Sequence, residues 1–380
     1  MTEEQIRTAA EHFEKILRTQ AERAERLARP KSKREQGKTV IGCIDGDGIG
    51  PVIMTEAKRV LKELLKEEIA SGGIELKEIE GLTIENRMKL GRSVPEETLQ
   101  EIRACDVLLK GPTTTPSGGK MESANVTLRR ELDLFANTRP VQVPAEGIDW
   151  MFFRENTEGE YVLGSSGIEI PGLLAMDFKV TTEEGTRRIA RAAFEYARKN
   201  GRKHVSIVTK SNIMKKTDGL FSRIAHEVAE EYPEITTEEY YIDIMTANLV
   251  NPEIRSTFEV FLLPNLYGDI ITDEAAQIQG GVGTAGSANI GDSYAMFEAI
   301  HGSAPRLVEA GLGAYANPQS ILTAAAMMLG HIGLKEQEKR LRLAIENAGR
   351  NVHVTGTKNG ASCKEFGDAV LRFLMTEACS

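Results

Sequence analysis

The chain has 380 residues, a formal net charge of −9, 41% apolar residues and 27% charged residues. These fractions are typical of a soluble globular protein, and the length predicts two domains or one large one. The acidic balance argues against a nucleic-acid-binding surface, so a site for an acidic substrate would have to concentrate its arginines locally.

The sequence carries no pattern of a membrane span or a secretory leader. No run approaches about 18 consecutive apolar residues, and the charged N-terminus lacks an apolar core. The four cysteines are scattered, without a CxxC pair or a histidine at zinc spacing. Cys43, Cys105, Cys363 and Cys379 are therefore interpreted as thiols of a reducing compartment, and we expect a cytoplasmic enzyme.

Residues 1–36 predict a helical extension ahead of the first domain. Apolar residues recur on one helical stripe from Ile6 to Leu27. The stripe ends near Pro30, and the basic tract 31–34 follows. A helix with a narrow apolar stripe is not stable alone in water. We expect it to pack on the core or across a subunit interface, and a flexible segment is the alternative.

Residues 40–44 predict a buried strand that runs into the glycine-rich loop 45–51. The loop contains Gly-x-Gly-x-Gly, but the full dinucleotide fingerprint requires an acidic residue about 20 positions further on and is not met. Pro51 is typical of a helix start, and apolar residues follow it at helical spacing. The loop alone therefore does not predict a classical Rossmann site.

Three arginines lie at the ends of apolar runs: Arg129, Arg139 and Arg154. Arg129 ends the segment 113–129, which is rich in hydroxyls and glycines and follows a predicted strand. A single arginine is usually a solvated surface charge. Three of them in such places are more typical of a carboxylate clamp, because guanidinium groups pair bidentately with carboxylates.

Residues 183–200 predict an amphipathic helix, and residues 204–208 predict the strand after it. Lys210 stands at the carboxyl end of that strand, where α/β folds place functional residues. An exposed lysine is the alternative. A further helix is predicted at 220–232, and Asp243 ends the strand that follows.

Asp269 and Asp273 follow a buried apolar run at an i, i+4 spacing. This spacing places both carboxylates on one face whether the segment is a helix or a strand. Two oxygen donors beside Gly268, which lets another group approach closely, suit Mg²⁺ or Mn²⁺. A solvated helix face is the alternative.

Small residues dominate the segment 280–291, which predicts a loop that lets the backbone approach a flat or phosphorylated ligand. Three helices are predicted beyond it, at 321–329, 334–348 and 366–375. Strands alternate with helices throughout, so the predicted class is α/β, with antiparallel pairing possible at 136–180.

The segment 265–318 contains, in order, the two aspartates, the small-residue loop, Phe-Glu-Ala-Ile-His-Gly-Ser-Ala-Pro and Asn-Pro. In this order the motifs resemble the metal- and nucleotide-binding half of the β-decarboxylating dehydrogenases, the isocitrate and isopropylmalate dehydrogenase family. The resemblance covers about residues 39–375. It implies the two-domain α/β fold of that family, which is not a classical Rossmann fold. The implied domains are a large nucleotide-binding domain, 37–135 and 285–380, and a small domain with a dimer clasp, 136–284.

The resemblance also implies a reaction: oxidation of a 2-hydroxy acid with NADP or NAD, then loss of the β-carboxylate as CO₂ with Mg²⁺ or Mn²⁺. Tyr161 matches the residue that protonates the enolate carbon, and Lys210 matches the one that assists deprotonation of the hydroxyl. Asp243, Asp269 and Asp273 match the metal ligands. Because the equivalents of Lys210 and Asp243 reach the neighbouring subunit's site, a homodimer with shared active sites is implied.

The other site residues follow from the resemblance in the same way. The implied substrate-binding residues are Thr115, Ser123, Asn125, Arg129, Arg139, Arg154 and Asn212. The implied cofactor-binding residues are Glu298, His301, Gly302, Ser303, Ala304, Arg306 and Asn317.

Ser123 and Asn125 favour isocitrate, the substrate of the tricarboxylic acid cycle, because the isopropylmalate branch carries apolar residues at this place. An apolar substrate group there would leave each buried polar side chain unpaired, at about 1–3 kcal/mol. Homoisocitrate or an isopropylmalate-type acid is the alternative. A non-catalytic regulatory subunit of the same fold is a third interpretation. Such subunits usually lack some of the catalytic tyrosine, the lysine and the three aspartates, and this chain retains all five.

Arg306 bears on the choice of coenzyme. Family members that use NAD often carry an acid at this place, which holds the adenosine ribose. A cation favours NADP, whose 2′-phosphate needs cationic donors. The alternative is that the longer loop 306–316 turns Arg306 outward and NAD is bound instead.

Overall fold

The computed structural model describes residues 2–27, 38–116, 121–164, 166–281 and 283–377. Strands and helices alternate along the chain, so the predicted α/β class is confirmed. The chain divides into two compact units. The first unit contains Met1–Ser32, Phe135–Thr138 and Gln142–Ala275, and the second contains Lys33–Leu134, Arg139–Val141 and Ala276–Ser380.

The strands of the described residues are short, and β4 contributes residues to both units. They are β1 (Thr39–Ile44), β2 (Ile74–Glu78), β3 (Val107–Lys110), β4 (Ala136–Val143), β5 (Ile148–Glu155), β6 (Ile168–Ile170), β7 (Leu174–Met176), β8 (His204–Thr209), β9 (Thr236–Tyr241), β10 (Val260–Leu263), β11 (Gly286–Ile290) and β12 (Ala295–Ala299).

The α-helices of the described residues range from single turns to long amphipathic segments. They are α1 (Glu3–Leu27), α2 (Gly50–Leu64), α3 (Lys66–Ala70), α4 (Ile84–Leu90), α5 (Glu96–Arg103), α6 (Ala124–Glu131), α7 (Glu183–Lys199), α8 (Thr217–Ala229), α9 (Ile242–Val250), α10 (Asn265–Ile278), α11 (Pro305–Glu309), α12 (Gln319–His331), α13 (Lys335–Asn351) and α14 (Cys363–Glu377). None of them is both long and apolar enough to cross a membrane.

The second unit is built on β2, β1, β3, β12 and β11 in that spatial order. β1 pairs in parallel with β2 and β3, β3 with β12, and β11 is antiparallel to β12. Neighbouring strand residues enter opposite cores: Leu109 and Phe297 join one apolar cluster, and Leu108 and Met296 join the other. Because both faces are covered, the central strands β1 and β3 are apolar along most of their length.

The first unit is built on the parallel strands β5, β10, β8 and β9. Its core is aromatic where β5 meets β10: Phe152 stacks on Phe261 with ring centroids 4.4 Å apart, and Trp150 lies edge-on to both rings. β6 and β7 form a separate antiparallel pair. This pair confirms that antiparallel pairing occurs within 136–180.

The N-terminal helix packs on its own chain, which was one of the two predicted placements. The ring of Phe13 lies 5.5 Å from that of Phe178. His12 Nε2 lies 3.0 Å from the carbonyl oxygen of Ser166. The helix ends at Leu27, and the predicted break near Pro30 with its basic tract lies outside the described residues.

Two sequence-based assignments are wrong. The small residues of 286–290 form β11 rather than a loop. They are small because α12 crosses close above them: a Cβ on Gly286 would lie 2.6 Å from the backbone nitrogen of Ala324. Asp243 does not end a strand. It lies in the first turn of α9, where a carboxylate is stabilised by the helix dipole.

The described cysteines behave as small apolar side chains. Cys43, Cys105 and Cys363 are buried and form no disulfide with one another, while Cys379 lies outside the described residues. Burial raises the pKa of Cys43 to about 12 and that of Cys363 to about 12. These two thiols are therefore unreactive at neutral pH.

Candidate functional site

Two predicted site residues of the first unit, Tyr161 and Arg154, contact Asp269. Because α10 begins directly after β10, the i, i+4 spacing is helical and brings Asp269 and Asp273 to one face. Tyr161 donates a hydrogen bond from Oη to Asp269 Oδ2 over 2.6 Å. Arg154 pairs with the other oxygen of the same carboxylate. Asp273 is exposed one turn further along.

Arg154 is only 1% exposed, and its position is fixed from several sides. Its Nε and Nη2 donate to Asn265 Oδ1 over 3.0 and 2.6 Å. Its guanidinium lies 5.3 Å from the ring centroid of Tyr161. Gly268 leaves the necessary room, because a Cβ there would lie 2.5 Å from Arg154 Cγ. The close approach predicted at this glycine is therefore made by Arg154.

Lys210 and Asp243 form a second group in the first unit. The Nζ of Lys210 donates to Asp243 Oδ1 over 2.5 Å. This hydrogen bond lowers the pKa of Asp243. The backbone N–H of Lys210 donates to buried Asp218 over 2.7 Å, which fixes the residue at the end of β8. Asn212 lies in the following turn and is exposed.

The second unit contains a small cavity that brings together residues predicted for substrate and for coenzyme. Its volume is about 130 Å³. Asn125 lines it and accepts a hydrogen bond at Oδ1 from Thr113 over 3.1 Å. The predicted residues that line it are Asn125, Arg129, Arg139, Glu298, His301 and Gly302. A wall with two guanidinium groups suits an anionic ligand.

Glu298 lies at this cavity between two cations. Lys110 Nζ lies 3.2 Å from Glu298 Oε2, and Arg129 Nη2 lies 3.2 Å from Oε1. Burial alone would raise the pKa of Glu298, but the charges of Lys110 and Arg129, with a hydrogen bond from Asn289, lower it to about 2. Burial lowers the pKa of Lys110 more than the charge of Glu298 raises it. Glu298 is thus held as the anion that compensates this cluster.

We expect Glu298→Gln to destabilise the protein by about 3–5 kcal/mol at neutral pH, because two buried cations lose their counter-charge. A lowered folded-state pKa contributes stability that is present above about pH 4.3 and is lost as the pH falls toward 2. The difference in unfolding free energy between wild type and variant should therefore shrink in acid. Thermal unfolding from pH 7 to pH 2.5 measures it, and a constant difference would contradict the assignment.

Two buried nitrogen atoms at the cavity have no hydrogen-bond partner within the described part of the chain: Arg129 Nε and His301 Nε2. His301 Nδ1 lies 3.0 Å from the carbonyl oxygen of Gly302, which can only accept, so Nδ1 donates. Burial lowers the pKa of His301, so its Nε2 is an acceptor of a neutral ring. Because buried polar atoms are normally paired, these two atoms fit a polar ligand such as a carboxylate or a nicotinamide coenzyme.

The glycine-rich loop after β1 supports the walls of this cavity. Asp47 accepts hydrogen bonds from the backbone of Ile84 and of Thr114, both over 2.7 Å. Gly48 has a φ of +61°, and a Cβ on it would lie 2.1 Å from the carbonyl oxygen of Ser303. The hydroxyls of Thr114 and Ser303 are 2.8 Å apart. The glycines thus serve close backbone packing.

Sequence reasoning did not single out Lys110 or Asp47 as site residues. Both are buried, and both contact predicted site segments. Lys110 could have been predicted as a site residue because it ends an otherwise apolar strand. A lysine is almost never fully buried unless it is paired with an acid.

The other predicted residues of the second unit differ in exposure. Thr115 and Arg306 are exposed, the latter on α11. Ser123 precedes α6 and is half-buried. Asn317 Oδ1 accepts from the backbone of Gln319 over 3.0 Å. Ser303 is buried and Ala304 is half-buried, while residues 117–120 and Val282 lie outside the described residues.

The aspartates of α10 fit a divalent metal ion in donor type. Among the described residues of one chain, no group of three or more His, Cys, Asp or Glu side chains could hold a metal. Asp269 and Asp273 nevertheless offer two carboxylates from one helical face. Mg²⁺ commonly takes one or two protein carboxylates and completes its shell with substrate oxygens and water, and Mn²⁺ prefers the same donors.

The comparison with protein families matches residues 40–370 to the family described as isocitrate/isopropylmalate dehydrogenase. Among solved structures, the isocitrate dehydrogenase of Methylococcus capsulatus is 36% identical with a TM-score of 0.79. The match covers 88% of this chain and 99% of that one.

Three curated relatives carry different names. A protein of Rickettsia prowazekii named isocitrate dehydrogenase [NADP] is 45% identical over 80% of this chain, which spans only 61% of that protein's length. Isocitrate dehydrogenase [NAD] subunit 2, mitochondrial, of Schizosaccharomyces pombe is 38% identical over 82% of this chain and 81% of its own length. The homoisocitrate dehydrogenase of Methanocaldococcus jannaschii is 37% identical over 87% of this chain and 96% of its own.

Proposed function

Because this chain belongs to the isocitrate/isopropylmalate dehydrogenase family, we propose that it oxidises and decarboxylates isocitrate with a nicotinamide coenzyme and a divalent metal ion. The observation that carries the proposal is the cavity of the second unit. There Arg129 and Arg139 lie beside Asn125 and His301, which is the wall a polycarboxylate with polar substituents requires. The first unit supplies the groups proposed for proton transfer and metal binding. There Asp269 contacts both Tyr161 and Arg154.

The substrate is held by its carboxylates. We assign Arg129, Arg139 and Arg154 to the carboxylates nearest the reacting carbons. We assign Ser123, Asn125 and Thr115 to the third carboxylate, which accepts hydrogen bonds from hydroxyl and amide donors. Arg154 is prepared for this role because its Nε is already committed to Asn265, leaving its orientation fixed.

Two side chains move protons. Lys210 assists removal of the proton from the C2 hydroxyl, and a bound nicotinamide coenzyme would supply the hydride acceptor. Loss of CO₂ from the resulting β-keto acid leaves an enolate, and Tyr161 delivers a proton from Oη to its carbon. A metal ion bound by Asp269, Asp273 and Asp243 would supply Lewis-acid stabilisation of the negative charge on oxygen. The hydrogen bond from Tyr161 to Asp269 supports this role, because it holds the phenol beside the proposed metal ligand.

We propose a homodimer in which Lys210 and Asp243 act in the partner's site. Their 2.5 Å contact supports this arrangement, because it brings the two proposed contributors together at one place on the chain. In a homodimer with two-fold symmetry the interface is isologous, so each subunit would complete the other's site in the same way.

Reduction of the coenzyme, followed at 340 nm with Mn²⁺, tests the proposal. Isocitrate should be oxidised with a higher kcat/KM than homoisocitrate, whose third carboxylate lies one methylene further from the reacting carbons. It should also be preferred to isopropylmalate, which carries an apolar group in place of the third carboxylate and would leave the polar donors unpaired. A preference for homoisocitrate would move the assignment to that substrate. No turnover of any of the three acids would instead favour a ligand-binding regulatory subunit.

Arg306 is proposed to select NADP. A 2′-phosphate carries nearly two negative charges and gains from a cation, whereas a bare 2′-hydroxyl is best held by a carboxylate. We expect Arg306→Asp to shift the ratio of kcat/KM for NADP over NAD toward NAD by about 10-fold or more, from about 1.4 kcal/mol of lost or repelled charge interaction.

The control for Arg306 is Arg350→Asp, an exposed arginine paired with Glu346 on α13. This change should leave the coenzyme ratio unmoved. A wild-type enzyme that already prefers NAD, or an Arg306→Asp variant with the wild-type ratio, would show that Arg306 does not contact the coenzyme.

A further inference from the structure

The N-terminal helix contacts the segment that carries Tyr161 through a partly buried arginine. Arg23 of α1 donates from Nη1 to Glu158 Oε1 over 3.0 Å and from Nη2 to the carbonyl oxygen of Thr157 over 3.2 Å. The two charged side chains are 12% and 2% exposed. Other ion pairs of this helix, such as Arg18 with Glu14, are exposed pairs within the helix itself. Arg23 is thus partly buried against the rest of the first unit.

Arg23 contacts Glu158, one of two buried carboxylates that lie close together, and Glu155 is the other. Glu155 accepts from the backbone of Thr157 and of Glu158, over 2.8 and 2.7 Å. Burial, and then the nearby charge of Glu158, raise the pKa of Glu155. Arg188 donates to the hydroxyl of Thr157 over 2.9 Å from the α7 side. The charge of Arg188 lowers the pKa of Glu155, so α7 compensates part of this negative charge. Arg23 adds a second cation, on Glu158, from α1, which precedes the matched family core.

A chain of hydrogen bonds leads from this pair into the proposed active site. The carbonyl oxygen of Glu158 accepts from Asn265 Nδ2 over 2.9 Å. The Oδ1 of the same amide accepts from Arg154, which pairs with Asp269. Asp269 accepts from Tyr161, three residues after Glu158. Movement of Glu158 would therefore displace the backbone that carries Tyr161, while Arg154 keeps its ion pair with Asp269.

We propose that Arg23 is a positioning residue for the proton-donating Tyr161, and that α1 is a part of the catalytic apparatus rather than an appendage. This inference rests on the proposed function, because it assumes that Tyr161 delivers the proton. Loss of the Arg23 charge removes the cation that α1 places against buried Glu158. The segment 155–161 then becomes mobile, and the phenol spends less time at the position from which it can protonate the enolate.

The test compares Arg23→Met, which keeps the length of the side chain, with Arg23→Lys and with the exposed control Arg18→Met. Arg23→Met is expected to lower kcat for oxidative decarboxylation about 10-fold, while reduction of the β-keto acid intermediate stays within about 2-fold. Arg23→Lys should recover part of the loss, and Arg18→Met should match the wild type. Equal losses in both reactions would overturn the proposal in favour of a merely structural role.

Amide hydrogen exchange on the same variants measures the local stability of residues 155–161 independently of activity. Arg23→Met should accelerate exchange in 155–161, and Arg18→Met should not. Unchanged exchange in 155–161 would overturn the proposal. If the wild type turns over no isocitrate, the proposed function fails. Faster exchange in that segment would then still support the control of its position by Arg23.

Discussion

Asp269→Asn is expected to lower Mn²⁺-dependent turnover by at least about 100-fold while the protein stays folded. A neutral amide is a poorer ligand for a hard cation than a carboxylate, and second-shell changes alone commonly cost 10–100-fold. The substitution also weakens the ion pair with Arg154 and the hydrogen bond from Tyr161. Titration of activity with Mn²⁺, with circular dichroism to verify folding, measures the effect.

The matched control is Glu274→Gln, the same change of chemistry on the same helix. Glu274 is half-buried one position beyond Asp273, and burial raises its pKa. Its conversion to an amide should leave the Mn²⁺ dependence unmoved. Wild-type turnover that survives excess EDTA would show that no metal ion is needed, and the assignment of Asp269 would then be lost.

Local sequence patterns were sufficient for elements whose burial is regular along the chain. All four residues of β10 are buried, and α12 is buried along most of its length. Their apolar runs therefore predict a buried strand and a buried helix directly. Gly201, with a φ of +68°, follows α7 as a glycine past a helix end should. Gly268 was expected to allow a close approach, and Arg154 makes it.

Local sequence patterns gave the wrong structure, or no prediction, where the identity of a residue is determined by a contact with a distant part of the chain. The small residues of β11 suggested a ligand-facing loop, but their size is set by the crossing of α12. Glu298 pairs with Lys110, 188 positions away, and Arg23 pairs with Glu158, 135 positions away. No periodicity within a window of 11–18 residues reports such a contact. The resemblance to the family predicted residues of the cavity, because it carries long-range information that spacing lacks.

Tyr161→Phe and Lys210→Met are expected to damage different halves of the reaction. Without the phenol, overall oxidative decarboxylation should fall by about 100-fold or more, whereas reduction of the β-keto acid should remain near the wild-type rate, since only the enolate carbon needs that proton. Without the ammonium, the redox step itself should fall by a similar factor. Stopped-flow measurement of each partial reaction separates the two, and identical losses in both variants would contradict the division of roles.

Coexpression of the two inactive variants should restore about a quarter of wild-type activity. In a homodimer with shared sites, each active site takes Tyr161 from one subunit and Lys210 from the other. Random assembly makes about half of the dimers mixed, and each mixed dimer holds one site with both native residues and one with neither. One intact site of two in half of the dimers gives about a quarter of the total. Differently tagged variants allow the mixed dimer to be purified, in which case about half of wild-type activity is expected. A purified mixed dimer without activity would show that each protomer builds its site from its own Lys210 and Tyr161.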